Sequence, residues 1–101
     1  MDQIVCDSLE KVRANIDRID RQLLGLIAER GGFVKQAARF KKTSDDVRAP
    51  QRVEQVIARV RTLAEEAGAD AVVAERIWRA MIAAFVDAEL DEHAGRERKA
   101  G

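Results

Sequence analysis

Four cations stand near apolar helical faces in this chain: Arg13, Arg30, Lys41 and Arg52. Arg30 is the clearest, because it fills a position in an apolar seam. Arg30 and Lys41 are 11 residues apart. On one continuous helix they share nearly the same face, with backbones about 16 Å apart. Two long side chains reaching inward from there leave room for a small dianion. Arg13 precedes Arg30 by 17 residues, or about 25 Å of helix. It can reach such a pocket only from a second, antiparallel chain. Arg52 opens a later helix, just after a loop, and suits closure over a carboxylate. Glu89 lies four residues after Phe85 and eight after Met81, on an apolar face. A carboxyl in those surroundings is expected to keep its proton and donate a hydrogen bond. The plainer readings are a structural pair between Arg30 and Glu89, an i,i+4 contact between Glu89 and His93, and a solvated helix end for Lys41.

Together these residues describe a cation-lined pocket for a small polycarboxylate. The sequence shows no nucleophile–base pair, no metal-ligand spacing and no phosphate loop, so no cofactor or metal is expected. Chemistry from such parts works by binding, shaping and charge stabilisation. Lys+Arg and Asp+Glu each count 18 among 101 residues, a balance that argues against nucleic acid as a partner. No apolar stretch approaches the length of a membrane-spanning helix, and a cytoplasmic protein is the expectation. Cys6 is the sole cysteine, which excludes an intrachain disulfide; it reads as incidental.

The elements that position these residues are helical. Apolar residues recur at Leu9, Val12, Ile16, Ile19, Leu23, Leu26, Phe33, Ala37 and Phe40. Their heptad steps predict one helix over 9–41, about 50 Å long, continuous through Gly31 and Gly32. Residues 1–7 read as a loose arm, with Asp7 or Ser8 as the cap. Residues 42–49 read as a polar loop and a candidate lid. Pro50 starts a second helix, predicted over 50–67 and closed by Gly68. Its apolar face is Val53, Val56, Ile57, Val60, Leu63 and Ala64. Asp70 caps a third helix over 71–93, with Val73, Ile77, Ala80, Met81, Ala84, Phe85 and Ala88 as its apolar face. The tail 95–101 is expected to fray. The fold class is all-α: a single domain of three helices, ordered over about 8–93. A 50 Å seam is too long to be covered by two shorter helices, which predicts an intertwined homodimer.

The segments LEKVRANIDRIDRQLLGLIAER, FVKQAARFK and VRAPQRV resemble the all-helical chorismate mutase family, from about Leu9 to Glu89. The resemblance implies an intertwined dimer with two shared active sites. It implies that Arg13 of one subunit and Arg30 of the other hold the substrate's two carboxylates. Lys41 and Glu89 would face its ether oxygen, and Arg52 matches an arginine at the start of the family's second helix. Chorismate would rearrange to prephenate without a base or cofactor. Val53 and Ala49 stand where many such mutases carry acidic residues. The APQRV segment and the small Ala37 are closer to isochorismate-pyruvate lyases of the same fold, so isochorismate is the alternative dicarboxylate. A non-catalytic helical dimerisation module fits the composition and heptads too, but not Arg30 or Glu89.

Overall fold

A computed structural model describes residues 3–100, the last five by backbone alone. The elements are α1 (Leu9–Ala38), α2 (Ser44–Arg48), α3 (Pro50–Ala67) and α4 (Ala71–Ala100). Among the described residues every regular element is helical, as the composition predicts. The chain divides into two compact units, Met1–Phe33 and Val34–Gly101.

The first unit holds the N-terminal arm and most of α1. Ser8 is the cap: its Oγ accepts from the Lys11 backbone N–H at 3.1 Å. The arm reads as loose in sequence, yet residues 3–7 are tied to the helix. Asn15 Nδ2 donates to Cys6 Sγ at 3.4 Å and to the Lys11 carbonyl at 3.0 Å. Lys11 also pairs with Asp7 at 2.8 Å. Met1 and Asp2 of the predicted arm lie outside the described residues. Helix α1 runs through Gly31 and Gly32 as expected, although each interior glycine costs about 1 kcal/mol against alanine. No residue of α1 is buried. Its seam stays open to solvent, with Ile16 50% and Leu23 48% exposed.

The second unit begins with the end of α1, and there the sequence reading needs correction. The helix stops at Ala38, not Lys41. The next three backbone N–H groups tighten to i→i+3 bonds: Arg39 to Gln36, Phe40 to Ala37 and Lys41 to Ala38. Phe40 therefore leaves the seam and is exposed, and Lys41 stands on a turn.

The predicted loop 42–49 contains a helix. Thr43 and Asp46 form a reciprocal capping box, in which the Thr43 hydroxyl accepts from the Asp46 N–H and the Asp46 carboxylate accepts from the Thr43 N–H. Val47, on this short helix, is only 5% exposed, and α2 packs on α4. Ala49 ends α2 in the left-handed region at φ 39°, a conformation that costs a non-glycine residue roughly 1–2 kcal/mol. Two hydrogen bonds hold it there: its N–H donates to the Asp45 carbonyl, and its carbonyl accepts from the Val53 N–H.

Helix α3 has the predicted bounds. Pro50 occupies the first turn, and Gly68 at φ 77° closes the helix in the left-handed conformation that glycine adopts without strain. Ile57, Val60 and Ala64 are buried as expected, whereas Leu63 is exposed. Asp70 Oδ1 accepts from the N–H groups of Val72 and Val73, capping α4 as read. Helix α4 then continues past His93 to Ala100. The predicted frayed tail is helical to that point because Arg96–Ala100 are all good helix formers; Gly101 lies outside the described residues.

The face that α4 turns inward also differs from the reading. Trp78, Met81, Ile82, Phe85, Val86 and Leu90 are half-buried, while Val73, Ile77, Ala80, Ala84 and Ala88 are exposed. This helix is apolar on two sides, so periodicity does not single out one stripe.

Helices α3 and α4 are also joined by charge. Arg79 forks onto Glu54 at 2.9 and 3.0 Å and reaches Glu75 at 2.8 Å, and Arg61 reaches Glu75 at 2.6 Å. The Arg79 hydrogen bonds hold both carboxyls below their ordinary 4.5, with Arg61 adding to the effect at Glu75. Carboxylates held low when folded stabilise the fold above their ordinary value, and that stability is lost as pH falls through the lowered one. Thermal unfolding should therefore shift to lower temperature as pH drops below about 4.5. In Arg79→Met that acid limb should be shallower. Equal acid limbs in the two proteins would remove the network from this account.

Candidate active site

Two of the five candidate residues meet in the second unit. Lys41 sits on the turn after α1, and Glu89 lies well inside α4. The Lys41 ammonium is 3.2 Å from Glu89 Oε2 and 3.4 Å from Oε1, donating to both. Glu89 is 8% exposed and is the buried charged residue among those described. The Lys41 side chain is half-buried.

The sequence reading placed Glu89 on an apolar face, with Arg30 or His93 as its plainer partners. In the structure the Lys41 ammonium lies directly across from the carboxyl. The reason is local. Ending α1 at Ala38 frees the backbone at Lys41 to turn, and a four-carbon stem then reaches α4.

Arg52 lies in the first turn of α3, exposed, with no hydrogen bond or ion pair among the described residues. Arg13 and Arg30 belong to the first unit. Arg13 is exposed and Arg30 half-buried. They are 17 residues apart on α1, roughly 25 Å along its axis. One chain therefore cannot bring both to the same small ligand. Among the described residues, no three His, Cys, Asp or Glu side chains are grouped as metal ligands. No described helix is long and apolar enough to cross a membrane.

Sequence reasoning missed the carboxylate that caps the backbone just after Lys41. Asp46 Oδ2 accepts from the backbone N–H groups of both Lys42 and Thr43, at 3.0 and 3.1 Å. The signal was present in T-S-D-D, a capping-box spacing ahead of a single apolar residue. A helix of five residues is too short to show apolar periodicity, so the segment reads as a loop.

The chain is thus all-helical among the described residues, with an open apolar seam on its longest helix and a lysine paired to a buried glutamate. The chain belongs to the chorismate mutase type II family, whose profile matches residues 12–90. It is 32% identical over 85 residues to the isochorismate pyruvate lyase of Pseudomonas aeruginosa, covering 84% of each chain. It is 31% identical over 77 residues to the chorismate mutase of Methanocaldococcus jannaschii, covering 75% of this chain and 78% of that one. Arg13, Arg30, Lys41, Arg52 and Glu89 all fall inside the matched span.

The burial of Glu89 gives the pair an asymmetric response to substitution. Lys41→Met leaves a carboxylate without its cation and should destabilise the fold by about 2 kcal/mol. Glu89→Gln keeps an acceptor for the ammonium and should cost less than about 1 kcal/mol. Urea denaturation at fixed protein concentration measures both; the opposite order would mean that Lys41 contributes nothing to solvating Glu89.

Proposed function

We propose that the chain is an isomerase that converts chorismate to prephenate. The observation that carries this reading is the family match across residues 12–90, which spans all five candidate residues. The reaction is unimolecular: one C–O bond breaks, one C–C bond forms, and no proton, water or cofactor is consumed. The barrier lies in folding the side chain over the ring and in the charge that gathers on the ether oxygen as the C–O bond opens.

The roles follow from that chemistry. Arg30 and Arg13 bind the two carboxylates and hold the compact conformer. Lys41 donates to the ether oxygen, where its charge interacts more strongly with the transition state than with the ground state. Glu89 faces the same oxygen and keeps the ammonium in place. Arg52 closes over the substrate from the start of α3.

Arg13 acts in this scheme from a second copy of the chain. The homodimer is supported by the state of α1: a seam of Leu9, Ile16, Ile19, Leu23 and Leu26 with no buried member. Exposed apolar stripes of this extent mark a surface that meets a partner. The second apolar stripe of α4, Val73 and Ile77 onward, is likewise exposed. On this reading each dimer has two sites, and each site takes arginines from both chains.

A second reading, isochorismate-pyruvate lyase, is favoured by the Pseudomonas relative and by uncharged Ala49 and Val53 at positions where a ring hydroxyl could meet a carboxylate. Purified protein incubated with chorismate and with isochorismate separates the two. Prephenate from chorismate is the expected result. Salicylate and pyruvate from isochorismate alone would establish the lyase, and turnover of neither would leave a dimerisation module.

Shared sites make a further expectation. Arg13→Ala and Arg30→Ala should each be inactive, and confirmed heterodimers of the two should regain activity. Such a heterodimer has one site with both arginines and one with neither. Silent heterodimers would rule out sites built from two chains.

A further inference from the structure

We propose that Asp46 is a positioning residue for Lys41: its carboxylate fixes the backbone that follows the lysine and so holds the ammonium against Glu89. The inference rests on the reading of Lys41 as the group that meets the substrate's ether oxygen.

Lys41 is poorly held by its own segment. Helix α1 has ended at Ala38, and the Lys41 N–H has a single i→i+3 bond at 3.2 Å. A lysine stem is flexible, and its ammonium is a point charge without the planar fork that orients an arginine. An ammonium that must stabilise charge in a transition state needs its backbone fixed.

The next two residues supply that restraint. The Lys42 and Thr43 N–H groups converge on one oxygen, Asp46 Oδ2, and the Asp46 N–H returns to Thr43 Oγ1 at 3.1 Å. These two backbone hydrogen bonds are the main reason the Asp46 carboxyl is held below its ordinary 3.8, so at neutral pH it is a charged acceptor. One residue further on, Val47 is buried, and α2 packs on α4.

The restraint therefore forms a closed circuit. Helix α4 packs against α2, α2 carries the buried Val47 and Asp46, Asp46 holds the backbone of residues 42 and 43, and Lys41 returns to Glu89 on α4. An ordinary helix cap would need only the Thr43 half of this arrangement. The bond to the Lys42 N–H, immediately after Lys41, reaches beyond it. Residues 42–49 are on this account a docked strap and not a swinging lid.

The test is a kinetic double-mutant cycle with thermal unfolding measured in parallel. Asp46→Ala should lower kcat about tenfold and change KM less than about twofold. Asp46→Asn, which keeps an acceptor for both N–H groups, should recover to within about threefold of the parent and serves where the alanine variant does not fold. In a Lys41→Met background, Asp46→Ala should remove less than about twofold of the residual rate, because the group it positions is already gone. A parental kcat in Asp46→Ala overturns the inference, as does an equal loss in both backgrounds.

A readout that needs no turnover is the Lys41 ammonium resonance in 15N NMR, protected in the parent by Glu89. Its loss in Asp46→Ala supports the positioning role, and its persistence overturns it. Parent protein that turns over neither substrate would sink the proposed activity, while this resonance would still decide the role of Asp46.

Discussion

A positive charge held against a negative one in a mostly desolvated position is the constraint on which this structure turns. Lys41 and Glu89 are 48 residues apart in sequence and meet at 3.2 Å. Burying such a pair gains little net stability, because desolvating both charges offsets most of their attraction. What it fixes is geometry. The lysine has no helix beneath it; the turn after α1, the capping box of α2 and the packing of α2 on α4 surround its backbone. Much of the second unit's local structure can be understood as support for one ammonium group.

The second constraint is apolar surface. The buried apolar core among the described residues is Val47, Ile57, Val60 and Ala64, which is small for a chain with 47% hydrophobic residues. Many large side chains are exposed instead, among them the α1 seam from Leu9 to Phe33 and Val73 and Ile77 on the outer stripe of α4. On the two-copy reading, burial of those stripes and assembly of the sites are one event. Stability and activity would then depend together on protein concentration. Arg13 and Arg30 lie 17 residues apart on α1, roughly 25 Å along its axis, so on that reading they serve one ligand only from different chains.

The relatives of this chain include both an isochorismate pyruvate lyase and a chorismate mutase. On the proposed reading, the choice between the two reactions falls to groups that meet the ring. In this chain positions 49 and 53 are Ala and Val. Ala49 also sits at the left-handed joint between α2 and α3, so it sets the entry angle of the helix that carries Arg52.

Local chemistry in the sequence was sufficient for several features. Pro50 and Gly68 bounded α3, Asp70 capped α4, and the heptad steps from Leu9 carried α1 through two glycines. Each of these depends on residues within a turn or two of one another. The family was legible for a different reason: the spacing of Arg13, Arg30, Lys41 and Arg52 is a one-dimensional pattern. The end of α1 at Ala38 was not legible, because Phe40 continues the apolar phase and nothing within that segment opposes it. Nor was the inward face of α4, since Val73 and Ile77 are as apolar as Met81 and Phe85. Which stripe turns inward is decided by where α3 and α2 lie. The partner of Glu89 was likewise a tertiary matter. An apolar neighbourhood can be read from i and i+4 positions, but a lysine 48 residues away becomes a neighbour only when the chain turns back after Ala38.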